Sequence, residues 1–358
     1  MNILYVGSIG TSGYAIATKN SIFNLLMNGF NVTFHPIQVD NSLQQYDIIS
    51  SEVEKCINKK YDFYDKLIIE LVPQELIITK INELFKICNN LNCKKIIKTV
   101  WETTNISPIW LPILNNEIVD EIWVPSKFNK IAFENSGVKK PINIDKYVSF
   151  NHFINTPKEE IEIPNNIQYG NKNIKHTYNF YYISTWNERK NNYNTIKTFC
   201  ETFTDSDNVS LLMKTGYNDY NNNITSIIKD NIETILKKYP NHPNIVYFPD
   251  NYTQYELNNI HLLGDCYFLL HRGEGLGISS YDAYMNHKSV IVTGYGGHVE
   301  YFMENYPYFV NYSLIDVNTD IVPFDCYKHL HKWAEPDYEH AKQLLLDFYN
   351  KKKINDLL

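Results

Sequence analysis

The chain has 358 residues, of which 44% are hydrophobic and 20% charged, with a net charge of −7. That length suits two globular domains, and the ordinary apolar balance argues against long disordered stretches. The acidic balance without a dense basic stripe excludes duplex nucleic acid as the expected partner, and the six cysteines form neither a CxxC pair nor a zinc spacing with histidine.

The N-terminal MNILYVGSIGTSGY lacks the basic and long apolar stretches of a signal peptide, and no run of about 18 apolar residues occurs. A cytoplasmic protein without a transmembrane segment or disulfide framework is expected, with peripheral membrane contact left open.

Short apolar runs alternate with stretches of helical period. Ile3–Val6 reads as a buried strand, Gly7–Gly13 as a glycine-serine loop and Ala17–Asn28 as a helix closed by Gly29. Further strands are predicted at Val32–His35, Leu67–Val72, Lys95–Val100 and Glu121–Val124, and helices at Glu75–Asn89 and Lys127–Ser136. These form a first domain, residues 1–154. Residues 155–178 carry Pro157, Pro164, Gly170 and five asparagines and read as a linker.

The alternation then restarts. Strands are predicted at Phe180–Ser184, Ser210–Lys214, Ile245–Phe248, Cys266–Leu270 and Val290–Thr293. Helices fall at Asn192–Thr202, Ile224–Lys238, Gln254–Leu263 and Ile278–Asn286. This second domain spans 179–336, and an amphipathic helix occupies the C-terminal 337–358. Each half is α/β with a doubly wound parallel sheet, so ligands are expected beyond the carboxyl ends of the strands.

The densest chemistry follows the strand ending at Leu270: His271-Arg272-Gly273-Glu274-Gly275-Leu276-Gly277, then a helix carrying Asp282. Gly275 and Gly277 allow close backbone approach, and a helix N-terminus favours negative charge, which outlines a diphosphate site. Glu274 and Asp282 cannot bind phosphate but can accept hydrogen bonds from sugar hydroxyls. A diphosphate between two hydroxyl-bearing ends describes a nucleotide sugar. Glycines alone would also fit an ordinary strand-to-helix turn. A second cluster, Thr185-Trp186-Asn187-Glu188-Arg189-Lys190-Asn191, adds two cations after another strand, and Lys214 a third, able to neutralise a leaving diphosphate. Asp205-Ser206-Asp207 lies in a polar loop and reads as surface, not as a metal site.

Glu274 and Asp282, separated by seven residues, resemble the E-x7-E region of the family-4 GT-B glycosyltransferases. Gly294-Tyr295-Gly296-Gly297-His298-Val299-Glu300-Tyr301-Phe302-Met303, Trp333-Ala334-Glu335-Pro336-Asp337 and Glu188-Arg189-Lys190-Asn191 are similar to further segments of that family. So are Ser12-Gly13-Tyr14, Trp101-Glu102-Thr103 and Trp123-Val124-Pro125-Ser126. The resemblance spans nearly the whole chain. It implies a GT-B fold, two Rossmann-like domains facing each other across a cleft. The first would bind the acceptor and the second the donor, and the C-terminal helix would return to the first.

By this resemblance Glu274 contacts the transferred sugar, and the amides of Gly275, Leu276 and Gly277 face diphosphate or sugar. Asp282 holds the ribose, and Arg189 and Lys190 hold the diphosphate. Thr185, Lys214, Arg272, His298 and Gly13 join the donor site, and Glu102 orients or deprotonates the acceptor hydroxyl. Trp101 is expected in the core, and His152 as a packed hinge residue. Two departures stand out: Asp282 replaces the usual glutamate, and Ser184-Thr185 replaces Gly-Arg.

The implied reaction is retaining transfer of a sugar from a nucleoside diphosphate to a glycan, lipid or protein-linked glycan hydroxyl. UDP is slightly favoured over GDP, and neither a cofactor nor a metal is expected. Front-face and double-displacement routes both stay open. The competing readings are a non-catalytic nucleotide-sugar or glycan-binding protein, a GT-B epimerase or phosphorylase, and a dinucleotide-dependent oxidoreductase. The last is weakened because Gly7, Gly10 and Gly13 do not make G-x-G-x-x-G.

Overall fold

The computed structural model describes residues 1–10, 12–38, 48–57, 59–73, 92–216, 224–318, 327 and 331–355. The predicted helix Glu75–Asn89, Thr11 of the first loop, Cys88 and Cys326 lie outside them. The chain forms two compact units. The first comprises Met1–Phe150, Gly296–Glu300 and Asp316–Lys332, and the second Asn151–Tyr295, Tyr301–Ile315 and Trp333–Leu358.

In the first unit the strands are β1 (Asn2–Ile9), β2 (Asn31–Gln38), β3 (Lys66–Glu70), β4 (Lys94–Lys98), β5 (Glu121–Val124) and β6 (Ile142–Ile144). They pair in the order β2-β1-β3-β4-β5-β6, all parallel. The helices are α1 (Gly13–Met27), α2 (Ile48–Glu54), α3 (Leu111–Leu114) and α4 (Lys127–Asn135). Ile3 and Tyr5 of β1 pack with Ile22, Val32, Phe34, Ile68 and Ile96 in one core.

The glycine-serine loop is shorter than its composition predicts, because β1 continues through Gly7 to Ile9. A Cβ on Gly7 would lie 2.6 Å from Thr18 Cγ2, so the glycine serves strand-to-helix packing. Ser12 then caps α1, its hydroxyl accepting from Ala15 N at 3.2 Å. Glu300 closes the N-terminus of α4, its two carboxylate oxygens accepting from Lys127 N at 2.9 Å and Phe128 N at 2.8 Å. Glu300 and α4 thus meet within the first unit.

The second unit holds β7 (Ile167–Tyr169), β8 (Tyr178–Thr185), β9 (Val209–Gly216), β10 (Asn244–Phe248), β11 (Cys266–Leu269), β12 (Ser289–Thr293) and β13 (Phe309–Val310). The order is β13-β12-β11-β8-β9-β10-β7, parallel except for β7 against β10. Its helices are α5 (Asn192–Thr202), α6 (Ile224–Leu236), α7 (Gln254–Leu263), α8 (Ile278–Met285) and α9 (Tyr338–Asn355). Strands β10 and β11 are buried at every residue, as parallel strands covered on both faces are.

Two boundaries differ from the sequence reading. Residues 155–178 are not a linker but part of the second unit. Ile161 and Ile174 enter its core and β7 forms its sheet edge. Gly170, at φ +125°, turns the chain where a Cβ would meet Asn244 Oδ1 at 2.5 Å. The C-terminal helix α9 likewise belongs to the second unit, not to the first. Its Leu344, Leu345, Phe348 and Tyr349 join the second core. The Tyr349 ring lies 5.4 Å from Phe203, and its hydroxyl accepts from Asn208 N at 2.9 Å. Among the described residues, no helix is long and apolar enough to cross a membrane.

Candidate active site

The strand order of the second sheet reverses at β8, with β9 and β10 on one side and β11, β12 and β13 on the other. An open parallel sheet binds ligands at such a reversal, beyond the carboxyl ends of the strands. The loops leaving β8 and β11 there, Trp186–Asn191 and Leu270–Gly277, are the two segments richest in candidate residues.

A main-chain contact joins these loops, and a side chain of α5 holds the second one. Arg272 N donates to Arg189 O at 2.7 Å, and Leu270 N donates to Thr195 Oγ1 at 3.1 Å. Asn191 supports the joint from a left-handed conformation (φ 54°) at the N-cap of α5, its Nδ2 donating to Leu270 O at 2.8 Å. Asparagine is among the few residues that adopt this geometry at low cost. Asn187 Oδ1 accepts from Lys190 N at 2.9 Å, and its Nδ2 donates to Thr185 Oγ1 at 3.0 Å. The turn thus orders both cations and the threonine.

Arg189 and Lys190 converge on Glu274. Lys190 Nζ makes an ion pair with Glu274 Oε1, and the Arg189 guanidinium lies 3.4 Å from Oε2 while donating to Gly273 O at 2.7 Å. Glu274 is only 7% exposed. Burial alone would raise its pKa. Lys190 and Arg189, with a smaller contribution from His271, outweigh that and hold the carboxyl well below the usual carboxylate range. A diphosphate arriving at these cations would therefore meet an anion already in place.

Gly277 adopts a left-handed conformation (φ 63°) as N-cap of α8, and Ser280 Oγ donates to its carbonyl at 2.8 Å. Gly277 has no side chain to cap the helix, and Gly275–Gly277 lead into a helix start, where main-chain N–H groups point outward. One turn on, buried Asp282 accepts from Asn151 Nδ2 at 3.0 Å. Asn286 ties the segment down, donating to Asn151 O and Asp282 O at 2.8 Å each.

The chain path has known counterparts. Sucrose-phosphate synthase from Thermosynechococcus elongatus is similar with a TM-score of 0.51 and 11% identity, over 83% of this chain and 82% of that one. A trehalose-6-phosphate protein from E. coli bound with UDP-2-fluoro glucose also gives 0.51 and 11%, over 84% and 86%. The N-terminal domain of Candida albicans trehalose-6-phosphate phosphatase gives 0.51 and 11%, over 84% of each chain. The fold is GT-B. No protein-family profile matches the sequence, and no curated protein sequence does.

Within this GT-B chain the other predicted residues fall in different places. Arg272 is buried, and its guanidinium is engaged by the carboxylates of Glu188 and Glu335 and by Glu188 O, 5.6 Å over the Trp333 ring. Lys214 sits on β9 with Nζ 5.3 Å from the Tyr252 ring centroid, and burial lowers its pKa to about 8 against an opposing pull from Asp250. Gly13, Glu102 and His298 belong to the first unit. There Glu102 Oε1 accepts from the Tyr327 hydroxyl at 2.6 Å. Trp101 is a core residue, 4.6 Å from Trp110 and stacked 4.8 Å from Tyr327, with its indole N–H donating to Thr103 Oγ1 at 2.6 Å. His152, expected as a hinge, belongs to the second unit.

Sequence reasoning passed over Asn187, Asn191, Asn151, Tyr267 and Tyr338. Tyr267 donates to Ile183 O at 3.2 Å. Burial, then the charges of Glu274 and Asp282, push its pKa up. A polar residue at each end of a cationic run was the one signal for Asn187 and Asn191. Nothing local marked the two tyrosines or Asn151.

Proposed function

We propose that this protein is a retaining glycosyltransferase of the family-4 type, moving a sugar from a nucleoside diphosphate to an acceptor hydroxyl. The observation that carries the reading is the convergence of Arg189 and Lys190 on Glu274 at the strand-order reversal of the second sheet. In this reading Glu274 accepts hydrogen bonds from the transferred sugar, and Asp282, oriented by Asn151, takes the ribose hydroxyls. The diphosphate lies against Arg189, Lys190 and the amides of Gly275, Leu276 and Gly277, with Thr185 donating a hydroxyl.

As the bond from the anomeric carbon to the leaving phosphate oxygen breaks, negative charge builds on the diphosphate. The two cations and the helix start meet it. The acceptor oxygen bonds to the same face, and its proton passes to the leaving phosphate. Side-chain cations carry the phosphate charge, so activity should survive EDTA.

The similarity in fold to a protein bound with UDP-2-fluoro glucose supports a nucleotide-sugar donor, and UDP is proposed ahead of GDP. A glycan or lipid-linked acceptor is proposed with it. The test is a calorimetric screen of nucleotides and nucleotide sugars, followed by a donor-hydrolysis assay without acceptor. Micromolar binding of a nucleoside diphosphate with slow hydrolysis of its sugar is expected. Absence of any nucleotide binding would sink the reading, and binding without hydrolysis or transfer would leave a binding protein.

A further inference from the structure

The cationic loop is held by a closed ring of polar contacts that no donor contact requires. Arg272 Nε donates to Glu335 Oε2 at 2.7 Å. The Tyr338 hydroxyl donates to Glu335 Oε1 at 2.5 Å and accepts from Asn191 Nδ2 at 3.2 Å. Arg272 Nη1 bonds the Glu188 carboxylate and donates to Glu188 O at 3.0 Å. The main chain from Glu188 to Asn191 closes the circuit. Arg189 and Lys190 are the two residues inside that closing span.

Three segments distant in sequence meet here. Ala334 N donates to Arg272 O at 2.8 Å, which fastens residues 333–335 to the loop after β11. Tyr338 opens α9, whose Ala341, Leu344, Leu345, Phe348 and Tyr349 are buried in the core of the same unit. The ring therefore ties the loop to a rigid helix.

Ordering a loop around a ligand costs backbone conformational entropy, and a backbone already held at both ends does not pay that cost on binding. Arg272 itself has its donors turned to Glu188 and Glu335, and its charge is balanced there. We propose that this ring, centred on Arg272, is a positioning device. It sets Arg189 and Lys190 at the spacing a diphosphate needs, and Arg272 is a positioning residue that does not touch the donor. The inference rests on the donor-site reading above.

The test compares nucleoside diphosphates with monophosphates on the full chain, because the β-phosphate is what the two cations read. Titration calorimetry with UDP, UMP, GDP and GMP is run on wild type, Tyr338→Phe and Glu335→Gln. Tyr306→Phe serves as control, since it removes a half-buried hydroxyl bonded to Val290 elsewhere in the same unit. Thermal melting checks that each variant is folded. Wild type is expected to prefer the diphosphate. Tyr338→Phe and Glu335→Gln should each lose about tenfold in diphosphate affinity, the scale of an outer-shell contact, with monophosphate affinity and the control unchanged.

A preserved diphosphate preference in both ring variants overturns the inference and leaves the donor site standing. An equal fall for both phosphate classes also overturns it, since that is general damage. A wild type with no diphosphate preference removes the donor site and the inference together.

Discussion

Glu70 ends β3 in the first unit, and Glu274 follows β11 in the second; each is buried and each faces a lysine. Their proton affinities move in opposite directions. At Glu70 burial prevails over Lys98, which lies 3.8 Å away and bonds Asp145 more closely at 2.6 Å, so the pKa is raised. The Tyr5 hydroxyl donates to Glu70 at 2.5 Å, completing an internal cluster. At Glu274 two cations outweigh burial and the carboxyl is held down. The first cluster sits at the last residues of β3 and β4, inside the unit, where its charges satisfy one another. The second lies past the strand tips, on loops, where cations held by a protein carboxylate can be offered to a ligand anion. A buried ion pair marks a binding site by its place in the sheet, not by its residue types.

Removing a lysine from each cluster separates these roles most strongly. Lys98→Ala leaves Glu70 and Asp145 without their partner and should cost about 3–5 kcal/mol of stability in urea unfolding. Nucleotide affinity of the folded fraction should be unchanged. A stable variant that loses nucleotide binding would reverse the assignment. Lys190→Ala should instead raise the reaction barrier by about 2.7–4 kcal/mol, lowering turnover by about two to three orders of magnitude. Its melting should shift less than that of Lys98→Ala, since Arg189 stays 3.4 Å from Glu274. Near wild-type turnover would remove Lys190 from the chemistry.

Smaller effects sharpen the contrast. Glu274→Gln withdraws the resident anion, so nucleoside-diphosphate affinity should rise by about tenfold, the worth of a charge-assisted hydrogen bond, while sugar transfer falls. Unchanged affinity in calorimetry would mean that diphosphate and carboxylate do not share the cations.

Acid unfolding should separate the two carboxylates. The depressed Glu274 contributes stability above its unfolded pKa of about 4.3, which is lost as the pH falls toward the folded value. The raised Glu70 takes up a proton on folding and contributes the opposite slope. Glu274→Gln should therefore lose less stability than wild type between about pH 5 and pH 3, and a steeper loss would contradict its depressed pKa.

Lys214, with its pKa near 8, gives the smallest effect. A bound diphosphate favours its charged form, so affinity should weaken a few-fold, about one decade at most, as the pH rises through 8 to about 9. Lys214→Met should flatten that slope. An unaltered slope would place Lys214 away from the phosphates.

Much of this was legible in the chain. Strand and helix periods located the long described elements to within a few residues, because parallel strands buried on both faces leave continuous apolar runs. The short β6, β7, β13, α2 and α3 carry too little period to be read. The two ligand-facing loops were legible because glycine, cations and a carboxylate cluster directly after such runs. The extent of β1 was not, because Gly7 reads locally as loop, and only its approach to Thr18 makes it strand.

Sequence by itself determined the α/β alternation, the two halves and the residue types at the strand tips, since these follow from periodicity and local chemistry. Tertiary structure decided which of those charges meet. Arg272 adjoins Glu274 in sequence, yet its guanidinium turns to Glu335, 63 residues on, while Lys190 reaches Glu274 from 84 residues away. It also decided that residues 155–178 and α9 build the second unit and that Glu300 serves the first. The reason is physical: an ion pair or a cap is a contact between distant segments. Its partner is chosen by where the packed core holds each backbone.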